Sequence, residues 1–379
     1  MIVNRTAPPL QLRERIPELD GLRAIAILLV IGCHYEKFAA LFGGVLQFGW
    51  VGVDTFFVLS GYLITNVLLQ LKERRGSLKR FYLRRARRIL PPYIIAVVAI
   101  SVTCVALGDT SVISLQWVTK DVFFLQSFGW LPTILQRLAH PSFAIETHIV
   151  LPTAPRGLTH TMVSALGVLW SLSIEEYFYL LWAPLVLFCN RRTVWITAIA
   201  ICVFGFVMRW IGFIGVPSYF TIFHRFDALI YGAIASLVLT SRRPIPKKLF
   251  KRTFVWGLVT LSFVIGAIWP VLGLEIRCSQ IFILFGLPAI SIVAASFIAL
   301  IVLHSGHRFF GVLRSAPMRF IGRISYMLYL LHAFVYLEFV QFFPVTWLMT
   351  IASLSMAIFL CWLSWTYIEN PILNSQHNK

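Results

Sequence analysis

Acidic residues are scarce in this chain. Its 379 residues include only 15 Asp and Glu against 33 Lys and Arg, and charged residues make up 13% of the sequence. Soluble domains carry about 25% charged and about 45–50% apolar residues. Here 59% of the residues are hydrophobic and the mean hydropathy is +0.81. This composition excludes an ordinary soluble domain and indicates a protein that crosses a membrane many times.

The sequence also lacks the patterns of metal and disulfide sites. Its cysteines lie in or beside apolar segments, without CxxC or Cys/His spacing; they are Cys33, Cys104, Cys189, Cys202, Cys278 and Cys361. Cysteines in such surroundings are usually small buried apolar side chains. We therefore expect neither a disulfide framework nor a bound metal.

Ten apolar runs are long enough to cross a bilayer, which takes about 20 residues each. They cover residues 22–42, 46–71, 91–108, 166–189, 194–214, 222–240, 253–272, 279–303, 320–342 and 345–367. We see no internal repeat, so the chain is interpreted as a single domain over 1–379. The sequence thus predicts an all-α fold, a polytopic bundle of about ten transmembrane helices.

The basic residues predict the orientation of this bundle. Nine Lys and Arg lie in KERRGSLKRFYLRRARR between the second and third runs, and further basic loops follow the fourth, sixth and eighth runs. The alternate loops carry few cations. The positive-inside rule therefore places both termini, 1–21 and 371–379, in the cytoplasm. These loops account for the net charge of +18, so we expect no nucleic-acid partner.

A long stretch, 109–165, lies on the external side in this topology and is rich in Pro and His. A loop of this length is often a lid or a substrate-binding element. A variable insertion on the membrane surface is an equally good interpretation.

The first apolar run carries Arg23 near one end and His34 near the other. Eleven steps of about 100° return a helix to nearly the same azimuth, so both side chains share a face, roughly 16 Å apart along the axis. Imidazole, with an ordinary pKa of about 6.5, is a natural general base. A structural hydrogen bond would also explain a histidine here.

A basic cluster of four arginines, Arg84, Arg85, Arg87 and Arg88, precedes Pro91 and Pro92 in FYLRRARRILPPY. Loop cations usually set topology or contact anionic lipids. Four guanidinium groups around one helical turn, beside a Pro-Pro break, also suit a phosphate clamp for a nucleotide-like ligand.

Several other polar residues interrupt the apolar runs. Glu175 and Glu176 lie about ten residues into the fourth run, where a charge is costly unless it faces a cavity or a cation. Ser171, Glu175 and Tyr179 recur at helical spacing. Polar groups in the other runs include Asp54, Ser60, Asp227, Tyr326 and His332. Structural hydrogen bonds and ion pairs are the plain alternative for each of them.

Five segments in this order resemble the acyltransferase-3 family, integral membrane enzymes that acylate sugars of bacterial surface glycans. They are PELDGLRAIAILLVIGCHY, GVDTFFVLSGYLIT, FYLRRARRILPPY, WSLSIEEYFYLLWAPL and ISYMLYLLHAF. The resemblance covers most of the chain. It implies an acyl-CoA donor, usually acetyl-CoA. The positions that match family motifs are Arg23, His34, Ser60, Gly61, Arg84, Arg85, Arg88 and Glu175.

These observations together predict an O-acetyltransferase of the bacterial inner membrane that acts on a cell-surface glycan. Acyl-CoA is expected to bind from the cytoplasm to Arg23, Ser60 and the basic cluster. His34 then acts as base or as transient nucleophile, oriented by Glu175 or Asp227. Asp54, Tyr326 and His332 are assigned to the acceptor, an extracytoplasmic glycan.

Two other functions fit part of the sequence. A proton-coupled transporter would also carry intramembrane His and Glu, although we see no inverted repeat. A non-catalytic lipid-binding scaffold is the third possibility. The chain ends soon after Pro371, and on this ground we expect no additional esterase-like domain.

Overall fold

The structure is a computed structural model that describes residues 16–72, 74–106, 124, 168–212, 222–241, 246–272 and 281–374. Most of the predicted tail 1–21, nearly all of the external stretch 109–165 and the last five residues lie outside this part of the chain. What we predict for them stays a prediction.

Ten long helices make up most of the described residues, which contain no strand. They are α1 Pro17–His34, α2 Val51–Leu71, α3 Ser77–Ala106, α4 Leu169–Phe188, α5 Arg191–Gly212, α6 Ile222–Leu239, α7 Lys247–Leu272, α8 Leu287–Leu303, α9 Ala316–Phe342 and α10 Trp347–Ser364. Helical turns at Glu36–Ala39 and Leu41–Trp50 join α1 to α2. A π-turn at Phe282–Gly286 precedes α8, and another at Trp365–Glu369 extends α10 to the short helix Asn370–Asn374.

Seven of the helical stretches within the described ranges are long and apolar enough to cross a membrane. They include α2, α3, α5, α6, α8, α9 and α10. Helices α1 and α4 are not among these seven. They contain charged residues: Glu18, Asp20 and Arg23 in α1, and Glu175 and Glu176 in α4. The all-helical membrane fold is thus confirmed, whereas the count of ten crossings and the side of the termini stay predictions.

The Pro-Pro break predicted in the third run is wrong. Helix α3 begins at Ser77 and continues through Pro91 and Pro92 to Ala106, so the basic cluster lies on a helix that enters the bundle unbroken. Two prolines remove two backbone hydrogen bonds, but membrane helices tolerate them where neighbouring helices pack closely. Ile89 and Tyr93, which flank the pair, are both buried at 5% exposure.

The central helices cross with almost no space between their backbones. Gly61 of α2 lies against the carbonyl of Leu229, and Gly232 of α6 lies against the carbonyl of Val58. Small residues allow membrane helices to approach this closely. The reciprocal contact explains Gly61 as a packing residue of the α2–α6 crossing.

We expect Gly61→Ala and Gly232→Ala to destabilise the protein, each by about 1–3 kcal/mol, the usual cost of overpacking. A Cβ at either position would meet a backbone carbonyl of the opposing helix, which cannot turn aside as a side chain can. Thermal unfolding of the purified protein in detergent measures the change.

Gly32→Ala is the matched control, because a Cβ there meets only the Leu46 side chain at 3.6 Å, an ordinary contact. If all three variants unfolded at the wild-type temperature, the close α2–α6 crossing would be incorrect.

Candidate functional site

A pair of histidines joins α1 to α9. His34 is the last residue of α1, and its Nδ1 lies 2.8 Å from Nε2 of His332. The two rings stack with centroids 5.1 Å apart and an interplanar angle of 24°. His332 is fully buried, whereas His34 is exposed. The buried ring of His332 therefore holds the exposed ring of His34 in place. We call these two residues the histidine pair.

The backbone of α9 decides which nitrogen of each ring carries the proton. Nδ1 of His332 lies 2.9 Å from the carbonyl oxygen of Tyr329 and 3.1 Å from that of Leu328. Carbonyl oxygens only accept hydrogen bonds, so in neutral His332 this nitrogen donates and Nε2 accepts. His34 then donates from Nδ1, and its lone pair lies on Nε2. This is the tautomer that a general base requires.

Two neighbouring cavities lie between α1, α2, α3, α4 and α9. The wider one, with a volume of about 380 Å³, is bordered by Asp20, Asn66, Arg323 and Glu369. The narrower one, about 90 Å³, extends inward to Ser171 and Tyr329. Both cavities are lined by Arg23, Arg85, Arg88 and Tyr326, so these four side chains lie where the two cavities adjoin.

The basic cluster divides into two faces. Arg85 and Arg88, three positions apart, line both cavities. Arg84 and Arg87 are exposed and line neither of them. Residues three apart on a helix share a face. Arg84 and Arg87 each precede a cavity-lining arginine by one position, so their side chains are turned by about 100° around the helix axis. Only half of the predicted phosphate clamp therefore faces the cavities.

Glu175 lies on the wall of the narrower cavity and accepts two hydrogen bonds. The Ser60 hydroxyl donates to Oε1 at 3.2 Å, and the Tyr179 hydroxyl donates to Oε2 at 2.6 Å. The Arg85 guanidinium lies over the Tyr179 ring, 5.0 Å from its centroid. The Glu175 carboxylate thus binds one hydroxyl of α2 and one of α4 beside the Arg85 cation of α3. No hydrogen bond among the described residues connects it to His34.

The inner end of the narrower cavity approaches the histidine pair. Tyr329 lines the cavity, and its hydroxyl lies 2.7 Å from that of Ser171. The Tyr329 and His332 rings are 5.9 Å apart between centroids, about one helical turn along α9. Neither histidine lines the cavity itself, and the Tyr329 ring lies between its inner end and His332.

Asp54 and Asp227 are engaged in buried ion pairs. Asp227 binds Arg209 through both oxygens, at 3.0 and 2.7 Å, and Asp54 binds Arg225 at 2.6 Å. The four side chains are at most 4% exposed. The pairs connect α6 to α5 and to α2, so these acids have partners other than the histidine pair or the cavity lining. They also explain how α6 carries charges at membrane depth.

The sequence-predicted residues thus fall into three groups. The cavities bring together Arg23, Ser60, Arg85, Arg88, Glu175 and Tyr326. The histidine pair adjoins them, and His332 contacts the ring of His34. Arg84, Arg87, Asp54 and Asp227 lie apart. Among the described residues, no group of three or more potential metal ligands was found.

Arg323 is a charged cavity residue to which the sequence interpretation gave no role in the site. It lies nine positions before His332 on α9 and lines the wider cavity. Nine steps of about 100° place Arg323 and His332 on opposite faces of α9, unlike Arg23 and His34 on α1, so helical phase gives no signal for Arg323 in the sequence. Its place in the site follows from the packing of α1 against α9 through Gly21, Gly322 and the turn at Leu313.

Comparison with known proteins finds relatives along nearly the whole chain. A family model described as an acyltransferase domain matches residues 16–366. The peptidoglycan O-acetyltransferase OatA of Listeria monocytogenes is 29% identical over 95% of this chain and 56% of that protein. The O-acetyltransferase OatA of Staphylococcus aureus is 29% identical over 94% of this chain and 57% of that protein. The chain thus spans little more than half of these relatives, and no solved structure matches it.

Proposed function

The chain belongs to the acyltransferase-3 family, and from this premise we propose that it is a membrane O-acetyltransferase that acts on a hydroxyl of a cell-envelope glycan. The resemblance found in the sequence is confirmed by the family match over residues 16–366. The observation that carries the activity is the continuity of the site. Arginines border the wider cavity, and the narrower cavity extends from them to within one helical turn of the histidine pair.

The donor is acetyl-CoA, which supplies an acetyl thioester at the end of a long arm. Its phosphates bind at the arginine mouth, which we define as Arg23, Arg85, Arg88 and Arg323. Guanidinium groups match phosphate oxygens in charge and geometry. The arm then passes Ser60 and Tyr326 in the narrower cavity. The rise of α1 from Arg23 to His34 is roughly 16 Å, which suits the reach of such an arm.

His34 acts as the general base. Its Nε2 takes the proton of the acceptor hydroxyl, and the hydroxyl oxygen forms a bond to the thioester carbonyl carbon. The carbon–sulfur bond then breaks, its electron pair leaves with sulfur, and the thiolate receives the proton back from Nε2. His332 is a positioning residue, since its Nε2 accepts from Nδ1 of His34 and thereby selects the tautomer in which Nε2 of His34 carries the lone pair. Burial of His332 makes this arrangement rigid.

The bundle is proposed to cross the inner membrane of a bacterium ten times, with both termini in the cytoplasm. The arginine mouth includes the ends of α3 and α9 that follow basic loops, which supports donor entry from the cytoplasm. His34 ends α1 on the other side, where a glycan would be accessible. The Listeria relative is named for peptidoglycan, and a wall glycan is the acceptor that this similarity supports.

The activity is tested with the purified chain in lipid nanodiscs, isotope-labelled acetyl-CoA and a muropeptide or polysaccharide acceptor. We expect CoA release coupled to a gain of one acetyl group on the glycan, read by mass spectrometry. CoA alone should raise the unfolding temperature, because it binds the folded state only. A transporter of ions or sugars would show neither result.

We expect Arg85→Ala and Arg88→Ala each to raise KM for acetyl-CoA about tenfold. A charge-assisted hydrogen bond contributes ~1.5–3 kcal/mol, and exposure of the cavity to water reduces the effect to the lower end of this range. The turnover number at saturating donor should stay close to wild type. Initial rates over a range of acetyl-CoA concentrations separate the two parameters.

Arg80→Ala is the control, because Arg80 is an exposed arginine of α3 outside the basic cluster. Comparing Arg84→Ala and Arg87→Ala tests the division of the cluster. Equal increases in KM for all four arginines of the cluster would contradict donor binding at the cavity face.

A further inference from the structure

A third cavity lies away from the arginine mouth, on the outer side of the bundle. It is a groove of about 500 Å³ between α5, α7, α8 and the π-turn before α8. The α7 wall consists of residues on one helical face, from Leu249 through Trp256 to Thr260. Phe285 and Ile292 form the opposite wall. The groove has no residue in common with either cavity of the candidate site.

The wall of this groove is apolar apart from one charge. Two of its hydroxyl groups, on Thr253 and Thr260, donate to carbonyls of their own helix, at 2.9 Å each. Leu249, Trp256 and Phe285 are about half exposed on the surface of the bundle. The groove also borders α5 and α8, two of the helices that are long and apolar enough to cross a membrane. A surface of this kind beside such helices is suited to a hydrocarbon chain, because lipid tails surround them.

Arg252 supplies the charge at one end. It lines the groove and is exposed, and no hydrogen bond or ion pair to its side chain is found among the described residues. Lys247, Lys248 and Lys251 surround it on the first turns of α7. The described parts of α5, α7, α8 and the π-turn contain no Asp or Glu. This end of the groove therefore carries positive charge that no acid of its own walls offsets.

We propose that this groove binds one anionic phospholipid, with the phosphate at Arg252 and one acyl chain along α7 towards Thr260. The distance from Arg252 to Thr260 is roughly 12 Å, eight rises of 1.5 Å, and provides a continuous apolar surface for the tail. Basic residues near the end of a membrane helix favour anionic headgroups. The site is independent of the acetyl-transfer chemistry, since its residues are separate from both cavities of the candidate site.

Native mass spectrometry of the full-length, delipidated protein tests the proposal with phosphatidylglycerol and with diacylglycerol of the same chains. We expect one retained phosphatidylglycerol and no retained diacylglycerol. Arg252→Gln should weaken phosphatidylglycerol binding about fivefold, the change that corresponds to one cation near an anionic lipid. Lys251→Gln, an exposed cation of the same helix outside the groove lining, should change it less.

A second pair of variants tests the path of the tail. Thr260→Trp should fill the groove and remove the bound lipid, whereas Val259→Trp, on the exposed neighbouring face, should not. Unfolding temperatures near wild type show that both variants fold. The proposal is overturned if Arg252→Gln binds as Lys251→Gln does, or if Thr260→Trp retains the lipid. Displacement by an equal concentration of inorganic phosphate would also overturn it, since a free anion would then satisfy the site.

Discussion

His34→Gln is expected to lower the turnover number for acetyl transfer by about 10²–10⁴, the contribution of a well-placed general base. Glutamine retains polarity and similar size at the end of α1 but has no basic nitrogen. Insertion into the membrane and the rise in unfolding temperature on CoA binding should persist, because His34 is not among the residues of the arginine mouth. Single-turnover assays with labelled acetyl-CoA measure the loss.

His332→Phe separates positioning from chemistry. It removes the acceptor that holds Nδ1 of His34 at 2.8 Å, so His34 can adopt either tautomer. We expect a smaller loss than for His34→Gln, together with a changed dependence of the turnover number on pH. His332→Gln offers an amide oxygen in place of Nε2 and should recover part of the activity. Wild-type turnover in His34→Gln would show that another group takes the acceptor proton.

Asp227→Ala is expected to destabilise the protein by about 3–5 kcal/mol, the cost of leaving a buried charge without its partner. In this variant the Arg209 guanidinium, buried at 2% exposure, would keep its hydrogen bond to the His224 carbonyl but would lose the carboxylate that balances its charge. Unfolding in detergent, followed by heat or by increasing denaturant, measures the change. Glu338→Ala is a control, because this half-buried acid has no ion pair among the described residues.

The double variant Arg209→Met/Asp227→Leu shows which role Asp227 plays. Replacing both members of a buried pair by apolar residues is often neutral or stabilising, so we expect the unfolding temperature to return to near wild type. Activity should return with it if the pair only connects α5 to α6. Restored stability without restored activity would instead support Asp227 as a catalytic residue, as the sequence hypothesis proposed.

The histidine pair illustrates how far the sequence interpretation reached. The phase of Arg23 and His34 on one helix follows from helical geometry, so His34 could be recognised as a candidate base from its position. Its partner could not, because His34 and His332 are separated by 298 positions. Glu175 and Asp227 were reasonable alternatives, since an acid is the usual third member of a triad. Helix packing gives that contact to a histidine of α9 instead.

The basic cluster is a second feature whose contacts the sequence alone could not predict, although its residues are close together in the chain. Four arginines within five positions were visible, and so was their suitability for phosphate. Which two of them face the cavity depends on the rotation of α3, and that rotation depends on its packing against α4, α9 and the π-turn Trp365–Glu369. The continuity of α3 through Pro91 and Pro92 is likewise seen only in the structure, where Ile89 and Tyr93 are buried although Leu90 is exposed.

Hydropathy, charge distribution and helical period are local properties, and the sequence alone was sufficient for what depends on them. They specify a membrane protein made of helices, the approximate extent of each helix and the face that carries Arg23 and His34. Side-chain partners depend instead on which helices lie side by side, and that arrangement minimises buried unpaired charge and empty volume over the whole bundle. Only the tertiary structure could therefore pair His34 with His332, engage Asp54 and Asp227 with arginines, and connect the arginine mouth to the histidine pair.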